Sequence, residues 1–172
     1  MAYEAYGKCK FDKQGASAGT SPRDSHKDEF PFIRFQYEVL AAFDVSTNKA
    51  KGKRQHKNII LTKEWDATTV QFWSACTTNE KVSTFDLSFF QKDKAGKDEH
   101  YYHITLVDAH IVKIRQYTGT AEDEATGANA KSPGIHDTME LEDISISFRK
   151  ITVEHKLSNK VQTDDWNADE NT

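Results

Sequence analysis

The chain has no run of apolar residues near the roughly 20 needed to cross a bilayer, and its N-terminus, Met-Ala-Tyr-Glu-Ala-Tyr-Gly-Lys, lacks a basic segment followed by an apolar one. The expectation is a protein made and folded in the cytosol with no membrane insertion. If it leaves the cell, it does so without a cleaved signal peptide. Cysteine is scarce: Cys9 and Cys76 stand far apart, at no disulfide or metal-site spacing. They read as buried free thiols. Positive charge is not in excess, since the formal net charge is −4 with a pI near 6.0. Nucleic-acid binding by bulk electrostatics is thereby excluded. No G-x-G-x-x-G or Walker pattern occurs, so no phosphate-cradling loop or nucleotide cofactor is expected. Internal repeats and low-complexity tracts are absent as well.

What is present suits a folded domain. The 172 residues are 37% hydrophobic, 29% charged and 11% aromatic, which is globular composition in a chain long enough to bury a core. One domain over residues 1–160 is expected, followed by a loosely ordered acidic tail over 161–172 that Trp166 could anchor.

Residues 54–76, RQHKNIILTKEWDATTVQFWSAC, organise the rest. Ile59, Ile60 and Leu61 predict a buried strand, and Thr62-Lys63-Glu64 predicts its end. Asp66 or Thr68 is placed to cap a helix, along which Val70, Phe72, Trp73 and Cys76 recur at short spacings. Val70, Phe72 and Trp73 are expected as the core side of that helix.

Elsewhere period two dominates. Ala5 to Phe11 reads as a first strand. Phe30 to Leu40 alternates, with Ile33, Phe35, Tyr37 and Val39 opposing Arg34, Gln36 and Glu38. Val82 to Phe90 follows the helix, and Gly96 sits in a polar hairpin loop. Two strands, His100 to Val107 and Ala109 to Tyr117, are expected to meet at a bend near Asp108. Thr118 to Asp137 has no periodicity and reads as a long loop. Thr138 to Ile146 and Phe148 to Leu157 close the set. The fold class expected is mainly β, a small antiparallel β-barrel of about eight strands with one flanking α-helix.

Reactive constellations are thin. Among seven histidines, His100 and His103 lie an odd number of residues apart, so strand parity puts them on opposite faces. No tetrahedral metal set forms at a recognisable spacing. Asp108 and His110 share a face and could pair as acid and base, yet no nucleophile elbow accompanies them. Glu64 and Asp66 fit a helix start better than a catalytic pair. Lys49, Lys51, Lys53, Arg54 and Lys57 form the one concentrated basic run. It reads as a solvated loop, as a loop docking on an acidic surface of another copy, or as a phosphate-binding patch without aromatics for stacking.

The order of these blocks resembles the hemolysin-coregulated protein (Hcp) family, the tube proteins of bacterial type VI secretion. Gly19-Thr20-Ser21 followed by Asp24-Ser25-His26-Lys27-Asp28-Glu29 is similar to the family's early turn. Thr62-Lys63-Glu64-Trp65-Asp66 resembles the block ahead of its helix. Tyr101-Tyr102-His103-Ile104-Thr105-Leu106 and Glu142 to Val153 resemble later strands, and Trp166-Asn167 sits near a late Trp of the family. No one block is specific, whereas their order over about 150 residues is.

The resemblance implies a non-enzymatic structural subunit without cofactors. It would form homohexameric rings that stack as an inner tube, are expelled, and carry small effector proteins. Sheath, spike and baseplate proteins of the apparatus would be further partners. On that reading Arg34, Gln36 and Glu38 face the lumen, and the loop from Val45 to Lys57, with Lys49, Lys51, Lys53 and Arg54, reaches a neighbouring or stacked copy. The alternatives are a monomeric ligand-binding β-barrel with an interior cavity and a small hydrolase using Asp108 and His110.

Overall fold

The computed structural model describes residues 4–118, 121–122, 129–130 and 140–166. Nine strands and one helix carry the architecture: β1 (Glu4–Phe11), β2 (Phe30–Pro31), β3 (Arg34–Gln36), β4 (Ile59–Glu64), α1 (Ala67–Thr78), β5 (Lys81–Lys92), β6 (Asp98–Thr118), β7 (Glu140–Ser147), β8 (Lys150–His155) and β9 (Lys160–Asp165). All pairings among these strands are antiparallel, in the order β1-β5-β6-β7-β4-β3. A mainly β, barrel-like fold with one helix is thus present.

Residues 30–36 enclose the interior by changing partner. β2 pairs with β1, and β3 pairs with β4. The handover falls between two residues: Phe32 N donates to Ala5 O at 3.1 Å, and Ile33 N donates to Thr62 O at 2.8 Å. The expected uninterrupted strand from Phe30 to Leu40 is therefore broken, and Ile33 and Val39 are exposed while Phe35 and Tyr37 pack on the core. Gly7 belongs to the same junction. A Cβ there would lie 2.3 Å from the Phe30 ring, so a side chain at position 7 would displace it.

β6 is one strand of 21 residues rather than two. One edge of it carries β8 along Tyr102–Val107 and then β7 along His110–Thr118. The bend falls where expected, at Asp108, whose φ is +51°. Gly96 turns the hairpin before β6 with φ +77°. The long segment expected as a loop over 118–137 lies mostly outside the described residues, apart from a two-residue ladder between 121–122 and 129–130.

α1 begins as its sequence predicts, with Asp66 as the cap. Its Oδ1 accepts from Thr68 N at 2.9 Å and Thr69 N at 3.3 Å, and Thr69 Oγ1 accepts in return from Asp66 N at 3.0 Å. This reciprocal pair satisfies amides that have no partner inside the helix. Asn79 ends the helix in the left-handed region at φ +53°. The face it buries corrects the expected one. Phe72 is fully buried with Ala75, Thr68 and Thr69, whereas Val70 is 71% and Trp73 49% exposed. At about 100° per residue, Val70 falls nearly opposite Phe72, and Trp73 stands about a right angle from it. The three cannot share one face.

Phe72 reaches a ring cluster at the centre of the core. Its centroid lies 5.5 Å from Phe30, 5.9 Å from Phe11 and 6.1 Å from Phe85. The Thr62-Lys63-Glu64 segment, expected to end a strand, is its continuation, with Thr62 and Lys63 buried. Buried Lys63 requires partners. Its Nζ donates to Asp66 Oδ1 at 2.7 Å and Glu64 O at 2.8 Å, and it pairs with buried Glu142 at 3.0 Å. Although burial opposes its charge, the bonds from Lys63 and Thr68 hold the Asp66 carboxyl below the usual carboxylate range.

Residues 161–165, expected in a loose tail, form most of β9, paired with β8 from Lys150↔Asp165 to His155↔Lys160. Acidic composition did not prevent ladder formation, because Asp164 and Asp165 meet cations of other segments. Residues 167–172 lie outside the described residues.

Candidate functional site

The β3–β4 pairing continues beyond the barrel as an arm over residues 37–57. Val39–Leu40 pair with Gln55–His56, and Phe43–Asp44 pair with Lys49–Ala50. Between these short ladders Lys51 N donates to Ala42 O at 2.9 Å, and on the barrel side of the first Lys57 N donates to Glu38 O at 2.9 Å. At the tip, Asp44 Oδ1 accepts from Ser46 N at 2.9 Å and Ser46 Oγ at 2.7 Å, and Asn48 turns the chain at φ +52°. Short polar side chains of this kind substitute for backbone partners in turns.

The arm is apolar where it should be wet. Val39, Leu40 and Phe43 are exposed, and Val45 is 94% exposed. Lys49, Lys51 and Lys53 are exposed too, and no described carboxylate pairs with them. A two-stranded hairpin alone is marginal in water, so an arm like this needs an anchor and a cover.

The anchor is visible. At the arm's base His56 is held on both ring nitrogens, with Nδ1 2.6 Å from Tyr37 Oη and Nε2 2.5 Å from Asp164 Oδ2. Arg54 bonds the same Asp164 oxygen and donates through Nη2 to Asp165 O at 2.9 Å. The Arg54 bond, with His56 behind it, holds the Asp164 carboxyl below its ordinary range. The His56 ring lies 5.6 Å from Phe148 and 5.2 Å from Trp166. Arg149 fixes the far side of β9, bonding Asp108 Oδ2 at 2.8 Å and Asp165 Oδ2 at 2.5 Å.

These contacts place the residues singled out in the sequence. Lys49, Lys51 and Lys53 lie together on the arm, whereas Arg54 belongs to its anchor. Arg34, Gln36 and Glu38 are exposed. Asp108 does not serve His110: its carboxylate meets Arg149 and Lys81, the latter at 3.5 Å, and the Arg149 bond lowers its affinity for protons. The acid–base pair of the hydrolase alternative is therefore not assembled. His100 and His103 were expected on opposite faces, yet their rings are 5.3 Å apart. The ladder steps from Phe89↔Tyr102 to Phe90↔His100, and the extra residue, Tyr101, resets the alternation. His103 spends its nitrogens on Ser88 and Asp86 at 3.1 Å each. Among the described residues no group of three or more His, Cys, Asp or Glu is placed to hold a metal. Cys9 is buried and Cys76 half-buried, both as free thiols, and burial pushes Cys9 up to about 12.

One open groove of about 660 Å³ lies between β1 and residues 31–35, lined in part by Ala5, Tyr6, Phe32, Ile33, Phe35 and Phe89. None of Phe11, Phe30, Phe72 and Phe85, the rings at the centre of the core, lines it.

Comparison with known proteins follows the same architecture. The family described as "Type VI secretion system effector, Hcp" matches residues 9–155. The "Major exported protein" of Pseudomonas aeruginosa is 30% identical over 177 residues, with 98% of each chain covered. A solved structure described as "Crystal structure of Hcp protein" superposes with a TM-score of 0.82 at 25% identity, covering 96% of this chain and 98% of the other. Secreted protein Hcp3 from Pseudomonas aeruginosa gives 0.75 at 27% identity, covering 96% and 99%.

Proposed function

The chain belongs to the Hcp family, the tube proteins of type VI secretion, and we propose that it works by assembling with copies of itself into six-membered rings that stack as the inner tube. The observation that carries this reading is the anchored arm: an apolar and basic hairpin held out from the barrel, exposed among the described residues. Exposed apolar surface of that kind marks an interaction site. A contact made by an arm on one copy and a different surface on the next is head-to-tail, and such contacts close into rings or run on as filaments.

Within such a ring the wet face formed by Arg34, Gln36 and Glu38 lines the lumen, where small effector proteins travel. The barrel, with β9 paired to its β8 strand, acts as one domain. Assembly takes place in the cytoplasm, against sheath, spike and baseplate proteins, before the subunit is exported. No helix among the described residues is long and apolar enough to cross a membrane. The role needs no catalytic group. A ligand-carrying monomer is less well supported, because Phe11, Phe30, Phe72 and Phe85 fill the space a ligand would need. Light scattering of the purified chain tests the reading: multi-chain particles are expected, and a strict monomer at high concentration would contradict it.

A further inference from the structure

We propose that the arm of one copy seats on the outer face of α1 and the adjoining end of β4 in the next copy, Trp65, Val70 and Trp73 meeting the arm's apolar row while Glu64 and Glu140 meet its lysines. This rests on the self-assembly reading and names the acceptor surface within it.

The acceptor is unpartnered in the way the arm is. Trp65, Val70 and Trp73 are exposed. Trp65 is fixed in place, its Nε1 donating to Leu141 O at 2.8 Å and its N to Glu140 O at 3.2 Å. Glu64 and Glu140 stand exposed on either side of it in neighbouring strands, in the register Leu141↔Glu64. Among the described residues no cation pairs with either. Two surfaces of opposite charge, each apolar at its centre, each lack a partner among the described residues. That complementarity selects the orientation of an encounter.

The fold prevents the two from meeting in one molecule. The arm leaves at the Ile59 end of β4, and Glu64 and Trp65 lie at the other end, roughly 17 Å away at about 3.4 Å per residue. The hairpin register continues outward from Gln36↔Ile60 to Val39↔His56 and Phe43↔Ala50, away from the acceptor. From Gln36 to Val45 the arm spans at most about 30 Å, enough to reach a second barrel. Donor and acceptor at opposite ends of one strand make each copy offer one half of the contact at each end.

The test is zero-length carbodiimide cross-linking of the full-length assembled protein, with peptide mapping of the covalently linked dimers. Links from Lys49, Lys51 or Lys53 to Glu64 or Glu140 are expected. Links to Glu4 beside the β1 groove, or none to Glu64 and Glu140, would overturn the assignment. A charge exchange gives the second readout. Lys51→Glu with Lys53→Glu should weaken assembly about tenfold or more by setting like charges together, and Glu64→Lys with Glu140→Lys should do the same. All four changes together should restore most of it. Double variants that assemble like the parent, or a quadruple variant no better than either double, would contradict the pairing. If the parent chain forms particles while these outcomes fail, the acceptor is wrong and the ring reading stands. A monomeric parent overturns both.

Discussion

His56 and Asp164, 108 residues apart in the sequence, meet with Nε2 and Oδ2 separated by 2.5 Å. That bond ties the base of the arm to the last described strand. It makes β9 a structural part of the arm's base.

Asp164→Ala should therefore free the arm without unfolding the barrel. Hydrogen exchange at the arm-base amides, residues 55 and 57, should rise about tenfold, the lower end of what bonds to charged groups supply. The lower end applies because the Asp164 side chain is 29% exposed. Amides of β5 and β6 should keep their protection. Equal loss of protection everywhere would mean that the clamp supports the whole fold.

The same bond carries a pH dependence of defined sign. The Asp164 carboxyl is held below its unfolded value by Arg54 first and His56 next. A depressed carboxylate contributes fully above the unfolded pKa, about 3.9, and its contribution disappears as pH falls through the lower folded value. Arm-base protection, measured against the intrinsic exchange rate at each pH, should hold from neutrality to about pH 4 and fall below it. In Asp164→Asn the acid step should vanish. An unchanged acid profile in that variant would place the titration elsewhere.

Helix α1 should respond asymmetrically to truncation. Phe72→Ala empties the centre of a ring cluster and should cost about 3–5 kcal/mol of stability. Val70→Ala and Trp73→Ala, on the outer face, should stay within about 0.5 kcal/mol in the unassembled chain. Chemical denaturation of each variant measures this. A large loss for Trp73→Ala would mean that its exposed ring packs within the molecule.

Buried Lys63 and Glu142 should show a paired response. Lys63→Met alone strands a carboxylate in the interior and should cost about 3–5 kcal/mol. Lys63→Met combined with Glu142→Leu should recover a substantial part. If the double variant is no more stable than Lys63→Met alone, the ion pair is not what the buried carboxylate depends on.

Much of this was legible from residues alone, and the failures have physical causes. Period-two alternation located β1, β5, β7 and β8, and Asp66 announced the helix start. Val70 and Trp73 misled because bulky apolar residues next to Phe72 look like a single stripe until the angle around the helix is counted. Lys63 looked like a strand end because its charged partners, Asp66 and Glu142, come from a later turn and a distant strand. The 100–103 face depended on the bulge at Tyr101, and no local pattern marks which residue a ladder will skip. For the site, the basic run of Lys49, Lys51 and Lys53 was visible, though as a loop and not as a paired arm. Its anchor was not, because Arg54 and His56 find Asp164 and Asp165 across more than a hundred residues, in a segment whose acidity alone suggests a tail.

The central claim is that an arm anchored by β9 joins copies of this chain into rings. Single-particle imaging of the purified full-length protein, beside a variant in which residues 41–51 are replaced by a short turn, tests it most directly. Six-membered rings for the parent and folded single chains for the armless variant are expected. Solitary parent molecules, or armless molecules that form the same rings, would contradict it.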